Sequence, residues 1–322
     1  MVDWSASNSL AVALNKEMYI WNASFGEINH LFSVQPSGET DADGEPIDDY
    51  LTSCAWIPYQ DNILATGDSQ YAVKIWDANE KRCIRTMRSH YSRVASLSWN
   101  EHILSSGSRS GVIHHHDVRV RYHHVATLDG HAQEICGLKW SPDGRYLASG
   151  SNDNTVVIWD KNYARDPIYV FNEHRAAVKA IAWCPWQSNL LATGGGTYDG
   201  KIRLWNIFSG NILQTLDAKS QISCLLWSRQ HKELISSHGF QQNQLTIWKY
   251  SEKMHKIQEL NGHTSRVLQM VLSPDEETVA SVGADETLRL WHCFANDDKN
   301  KRTKDSGLLE KKAESMFSRS IR

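Results

Sequence analysis

The chain has no stretch of about 18 consecutive apolar residues, so no segment reads as a membrane-crossing helix. No signal-peptide pattern opens it either. Its six cysteines (Cys54, Cys83, Cys136, Cys184, Cys224 and Cys293) are scattered, with no C-x-x-C pair. That excludes the usual zinc spacings and argues for a reducing compartment, with no metal and no cofactor expected. Three of the six stand among strand-type hydrophobics, where small buried thiols belong. A basic field is missing too: the formal charge is −3 over 322 residues. A general nucleic-acid binder would need excess cationic charge to release phosphate counterions. These absences predict a soluble, intracellular protein that binds neither membrane nor nucleic acid.

Tryptophan, by contrast, is plentiful, and its 13 copies are spaced with purpose. Trp21, Trp76, Trp159, Trp205, Trp248 and Trp291 each end a short strand-like run, and His116 holds the equivalent place in the third unit. The fullest unit runs from Gly130-His131 through Trp140, Ser-Pro-Asp-Gly and Leu-Ala-Ser-Gly-Ser to Trp159-Asp160. A repeat of about 40–45 residues built from short strands and ending in Trp-Asp is the pattern of a WD-type β-propeller. The expected fold is all-β, a seven-bladed WD40 propeller over residues 1–294, rather than two domains. Most strands alternate apolar and polar residues, as half-buried strands do.

Both ends depart from the repeat. Residues 295–322 form a charged, aromatic-poor tail, so blade seven is expected to lack an outer strand. Val2-Asp3-Trp4 already matches the end of Val94–Trp99, so blade one starts incomplete and the strand that would close the ring is expected to be missing from the N-terminus. Residues 35–49 carry six carboxylates and little apolar content, and are expected to form a solvated acidic loop.

Blade four contains His131, Ser149, Asp153 and Trp159; blade seven repeats the set as His263, Ser281, Asp285 and Trp291. A Ser-His-Asp triad is one reading. Recurrence argues for a structural hydrogen-bond chain instead, because a scaffold device repeats and an active site does not. No catalytic residues are assigned, and the channel offers no carboxylate or metal cluster for a propeller enzyme. His114-His115-His116 resembles a metal tract, yet strand alternation sends neighbours to opposite faces.

Once scaffold residues are set aside, a variable ring remains. Tyr50, Arg93, Glu134, Ala177, Gln221 and Arg266 each lie six residues before the residue ending a first strand, on the expected top rim. The turns between second and third strands reach the same face, bringing Asn152, Asn154 and Thr197, with Glu286 the blade-seven counterpart of Asn154. Amides, a hydroxyl, an aromatic ring and an arginine together suit recognition of an extended peptide.

Several stretches carry a closer likeness. Ser105-Ser106-Gly107-Ser108-Arg109-Ser110-Gly111, running into Ile113-His114-His115-His116-Asp117-Val118-Arg119, resembles the Fizzy-type (cell-division-cycle-twenty-like) WD-repeat co-activators of the anaphase-promoting complex. So do Trp183-Cys184-Pro185-Trp186-Gln187, Gly262-His263-Thr264-Ser265-Arg266-Val267-Leu268, Ala284-Asp285-Glu286-Thr287-Leu288-Arg289-Leu290-Trp291 and the terminal Ile321-Arg322. The resemblance runs from residue 2 to the C-terminus, with the mitotic branch favoured.

The resemblance implies a substrate receptor and co-activator of that ubiquitin ligase, working in cytoplasm and nucleus on degron-bearing cell-cycle regulators such as cyclins and securin. Ligase subunits and spindle-checkpoint proteins are the implied partners. A Lys-Glu-Asn (KEN) degron would meet Asp3, Tyr50, Asn152, Asn154, Thr197, Gln221 and Arg266. Asp3 would pair with its Lys, Arg266 with its Glu, and the amides with its Asn. Glu286 would receive the Arg of a destruction box lying between blades one and seven, whose Leu enters an apolar pocket. Ile321 and Arg322 would dock on the ligase, adding avidity. The family's N-terminal C-box, checkpoint-binding motif and second destruction-box acid have no match here. The alternative is therefore an N-terminally shortened regulator that binds degrons or checkpoint proteins without activating the ligase.

Overall fold

Short strands bounded by turn residues and ending in an aromatic can bury their apolar side chains only by stacking sheet on sheet. The computed structural model describes residues 1–36, 38, 40, 48–60, 62–162, 166–240 and 242–294. Its 27 described strands form seven antiparallel sheets, each built from strands consecutive in sequence. Blades one to six have four strands each, starting with Val2–Trp4, Leu51–Trp56, Val94–Asn100, Ile135–Trp140, Val178–Trp183 and Gln221–Ser228. Blade seven has three described strands, Val267–Leu272, Thr278–Gly283 and Leu288–His292.

Indole N–H groups join one blade to the next. Trp99 Nε1 donates to Ala55 O at 3.1 Å, Trp183 Nε1 to Lys139 O at 2.9 Å, and Trp227 Nε1 to Ala182 O at 3.1 Å. Trp56 Nε1 reaches Asp3 O at 3.2 Å in the same way. Each tryptophan thus buries its ring between sheets while its one polar atom is satisfied across the gap. Close approach of neighbouring sheets needs glycine at two positions in blade four. A Cβ on Gly137 or Gly150 would collide with the carbonyls of Lys179 and Val178.

The ring closes at its inner edge. Gln269 of blade seven donates its side-chain amide to Val2 O at 2.8 Å, and its Oε1 accepts Val2 N–H at 3.4 Å. Outside this bridge, an apolar cluster of Val2, Leu10, Trp21, Val271 and Ala280 fills the space between blades one and seven.

Alternation is weaker than the sequence suggests. Tyr146–Ser151 and Leu190–Gly195 are buried along their whole length, since a neighbouring blade covers each face. The outer strands Arg82–Arg88 and Asn211–Asp217 are mostly exposed. Of the acidic stretch, Asp48 pairs with Lys16 at 2.6 Å and Asp49 is buried, accepting the Ser69 hydroxyl at 3.3 Å. Residues 37, 39 and 41–47 lie outside the described residues, as does the tail 295–322 with Ile321 and Arg322.

Candidate functional site: the top rim

In blade four Trp159 Nε1 donates to Ser149 Oγ at 2.9 Å, Ser149 pairs with His131 Nε2 at 2.8 Å, and His131 Nδ1 meets Asp153 at 3.1 Å. Blade seven repeats the chain at 2.8, 2.7 and 2.9 Å through Trp291, Ser281, His263 and Asp285. Burial lowers the pKa of both imidazoles against the raising pull of the aspartate, so each stays neutral and Nδ1–H faces the carboxylate. Asp153 and Asp285 then cap the following loop by accepting the N–H of Ala132 and Thr264, each at 2.9 Å.

A third chain, not read from the sequence, joins Trp205, Thr193, His174 and Asp199 at 2.8, 2.7 and 2.6 Å. Arg203 adds an ion pair to Asp199 at 2.7 Å. Burial alone would raise the Asp199 pKa, but the bonds from His174 and Arg203 hold it below the ordinary carboxylate range. All three chains are scaffold, and they pin the loops that carry the rim.

The rim residues occupy equivalent positions. The carbonyls of Tyr50, Arg93, Glu134, Ala177 and Arg266 accept N–H groups from Ser69, Arg109, Asn152, Gly196 and Ala284, all at 2.9–3.0 Å. Gln221 pairs with Gly239 at the same level of blade six. In blades two to seven the first strand is therefore clasped at its start to the end of the second strand or the turn that follows it. That clasp sets Tyr50, Asn152, Gln221 and Arg266 on one face, with Thr197 directly after the clasped Gly196.

Asn154 and Glu286 are true counterparts. Both follow the aspartate of a chain, and both are left-handed, with φ of 70° and 59°. Their N–H groups bond Ser151 O at 3.2 Å and Gly283 O at 3.3 Å. Glu286 is exposed beside Leu288 and Leu290, which line the apolar seam between blades one and seven.

Lateral bonds stiffen the ring. Arg93 grips Glu134 with two N–H donors at 2.8 and 2.6 Å and donates to Tyr50 Oη at 3.1 Å. The Cys136 thiol donates to Asn152 Oδ1 at 3.0 Å, leaving the amide NH2 free to face outward. Burial pushes that thiol up to about 11, which keeps it a donor. Phe240, half-exposed and absent from the sequence reading, lies 5.8 Å below the Arg266 guanidinium. No spacing rule marks it, because it sits just past the second strand of blade six.

Asp3 does not join this set. Its indole-bonded carbonyl makes it the equivalent of Ala55 and Lys139, at the far end of a first strand, and its carboxylate accepts Trp56 N–H at 2.6 Å. Tyr50 stands at the opposite end of that neighbouring strand, about 20 Å away at the rise of a β-strand. Burial raises the Asp3 pKa, as expected of a carboxyl held inside the ring rather than presented on a rim. The triple histidine also splits: His115 bonds Ser105 on one face at 2.8 Å, while His114 and His116 lie together on the other.

The fold and rim define a WD-repeat propeller with an open, polar, preorganised top face. A family model described as "CDC20/Fizzy WD40 domain" matches residues 1–291. The chain belongs to the CDC20/Fizzy WD40 family. "Anaphase-promoting complex subunit cdc20" of Dictyostelium discoideum is 48% identical over 311 residues, covering 95% of this chain and 60% of that protein. "Cell division cycle 20.5, cofactor of APC complex" of Arabidopsis thaliana is 49% identical, covering 93% and 65%. "WD repeat-containing protein slp1" of Schizosaccharomyces pombe is 46% identical, covering 92% and 58%. The chain thus spans less than two thirds of the length of each of these relatives. A chain in a crystal structure of the mitotic checkpoint complex superposes with a TM-score of 0.85 at 45% identity, covering 92% of this chain and 89% of that one.

Proposed function

We propose that this protein is a non-catalytic degron receptor and co-activator of the anaphase-promoting complex, acting on cell-cycle regulators in cytoplasm and nucleus. Relatives at 48–49% identity bear names that place them with that complex. The observation that carries the reading is the clasped rim, which sets Tyr50, Asn152, Asn154, Thr197, Gln221 and Arg266 on one face. On it a KEN degron lies extended, its Glu paired with Arg266 and its Asn bonded by the amides, since charge-assisted and amide pairs suit those groups. Glu286 receives a destruction-box arginine at the mouth of the apolar seam, where Leu288 and Leu290 offer a place for leucine.

Binding of a labelled KEN peptide tests this. Arg266→Glu and Asn152→Ala should each weaken it at least about tenfold, the cost of one charge-assisted or amide pair. The melting temperature should not move. Asp3→Asn should leave peptide affinity alone. Unchanged affinity in the Arg266 variant would sink the rim assignment. Glu286→Lys should spare KEN affinity and abolish destruction-box binding, and a ubiquitination assay on a KEN-bearing substrate tests the co-activator role.

A further inference from the structure

The two arginines of the rim are held in different ways. Arg93 is gripped by Glu134 and by the Tyr50 hydroxyl. Arg266 is exposed and makes no ion pair and no side-chain hydrogen bond among the described residues. A long side chain free at its tip samples many rotamers, and ordering it on binding costs affinity. What its guanidinium does meet is the ring of Phe240, 5.8 Å away at the centroid. The ring quadrupole attracts the cation and removes part of that freedom. This contact uses charge and no N–H, so all five donors of the guanidinium stay available to a carboxylate.

The turn that carries Phe240 is built to keep the ring in place. Phe240 is left-handed, with φ of 49°, a conformation that a bulky residue keeps only where its surroundings enforce it. The buried Ser220 hydroxyl does so from one side, donating to the carbonyls of Gly239 and Phe240 at 2.6 and 3.1 Å. From below, the fully buried His238 pairs with Ser236 at 2.7 Å, and Ser236 also takes the Trp248 indole N–H at 2.8 Å. Gly239 is the spacer between rim residues. A Cβ there would come within 2.8 Å of Gln221 Oε1 and 3.0 Å of Arg266 Cβ, so its missing side chain lets both close on one turn.

We propose that Phe240 is a positioning residue of the rim, whose ring holds the Arg266 guanidinium beside Gln221 so that it meets the degron carboxylate already oriented. This rests on the degron reading above and adds to it a residue that acts through Arg266 rather than on the peptide. Its effect is therefore confined to the acidic degron position, where it sharpens the choice of glutamate over the uncharged glutamine.

The test is fluorescence anisotropy on the whole chain with a labelled KEN peptide and a twin in which glutamine replaces the degron glutamate. Phe240→Leu should weaken the KEN peptide about two- to fivefold, the scale of an exposed cation–π contact. It should leave the glutamine twin unchanged, and Phe240→Tyr, which keeps the ring, should restore the parent affinity. In an Arg266→Met background Phe240→Leu should have no further effect. Circular dichroism checks that each variant keeps the fold. Equal loss for the two peptides overturns the proposal, as does the same loss with and without the arginine. A second readout needs no degron. In the free protein the ring current should shift the Arg266 Nε–H proton resonance upfield, and the shift should vanish in Phe240→Leu and persist in Phe240→Tyr. An unshifted proton overturns the proposal. If the shift is present while Arg266→Glu leaves KEN affinity unchanged, the degron reading falls and the Phe240–Arg266 contact stands.

Discussion

Ser or Thr, His and Asp lie in line three times in this molecule, and each time the last link is part of the scaffold. That link is a loop N–H in blades four and seven and the Arg203 guanidinium in blade five. In blade four the chain of donors starts at an indole N–H and ends on a carboxylate that already accepts the Ala132 N–H. The hydroxyl of Ser149 is fully buried, so no substrate reaches it. Removing the imidazole takes one hydrogen bond from the buried Ser149 hydroxyl and one from the Asp153 carboxylate, and leaves a void where the ring packed. Each lost bond costs about 0.5–1.5 kcal/mol, and the void adds to it. His131→Ala is therefore expected to lower the unfolding free energy by about 2–4 kcal/mol, read from the denaturant midpoint, with peptide affinity at Arg266 kept in the folded fraction. A variant as stable as the parent would mean that the chain is not what pins the Ala132 loop. The same logic explains why one residue was misplaced by resemblance. Likeness assigns Asp3 a role by identity, but height along the strand decides what it can touch, and the Trp56 indole fixes that height.

Among the elements, blade three stands apart because histidine replaces tryptophan at its end. His90, His114 and His116 pack within 4.3–6.3 Å of one another, ring to ring. Burial, then repulsion from neighbouring imidazoles (His123 and His124 among them), drives their pKa values down to about 3, 4 and 2. The unfolded chain protonates these groups near the ordinary histidine value of about 6.5. Between that value and about 4 the unfolded state holds more protons than the folded one, so stability rises with pH and is lost as pH falls. His238, lowered to about 4 mainly by burial, adds in the same direction. Melting temperature should fall steadily from pH 7 to pH 5, before the carboxylates protonate. A flat profile over that window would show that these rings are hydrated in solution. The blades themselves were legible from tryptophan spacing, and the rim from counting six residues back, because both follow from one repeated hydrogen-bond pattern. What stayed hidden has physical reasons. The chain in blade five escaped notice because Asp199 lies 25 residues after His174, against 22 in the other two blades. Of the three extra positions (25 − 22), one falls between His174 and Thr193, 19 residues apart against 18 for His131 and Ser149. The other two lengthen the turn that carries Thr197. Thr193 stands where the other two chains have serine. Full burial of the second strands was hidden too, since a period of two reports one covered face and a ring of blades covers both.

At the scale of the whole molecule, stability depends on a ring in which each sheet is tied to the next. Six junctions join sheets that follow one another directly in the chain. The seventh brings residues 2 and 269 together, so it carries the longest loop closure in the fold. Gln269 spans it with both ends of one amide on the Val2 backbone, at 2.8 and 3.4 Å. Gln269→Ala removes both bonds and leaves a partly buried N–H and C=O without partners, which should cost about 1–3 kcal/mol. Gln269→Glu keeps the shape and the acceptor for Val2 N–H but loses the donor to Val2 O, placing a carboxylate against that carbonyl. It should therefore destabilise as much as alanine or more. Hydrogen exchange would separate a local from a global effect. If the junction is the weak link of the ring, amides of Val2–Trp4 and Val267–Leu272 should exchange faster in the alanine variant while those of Val178–Trp183, on the opposite side, stay protected. Uniform acceleration around the ring would instead mean that the seven blades open as one cooperative unit, with the apolar cluster of Leu10, Trp21 and Val271 bearing most of the closure.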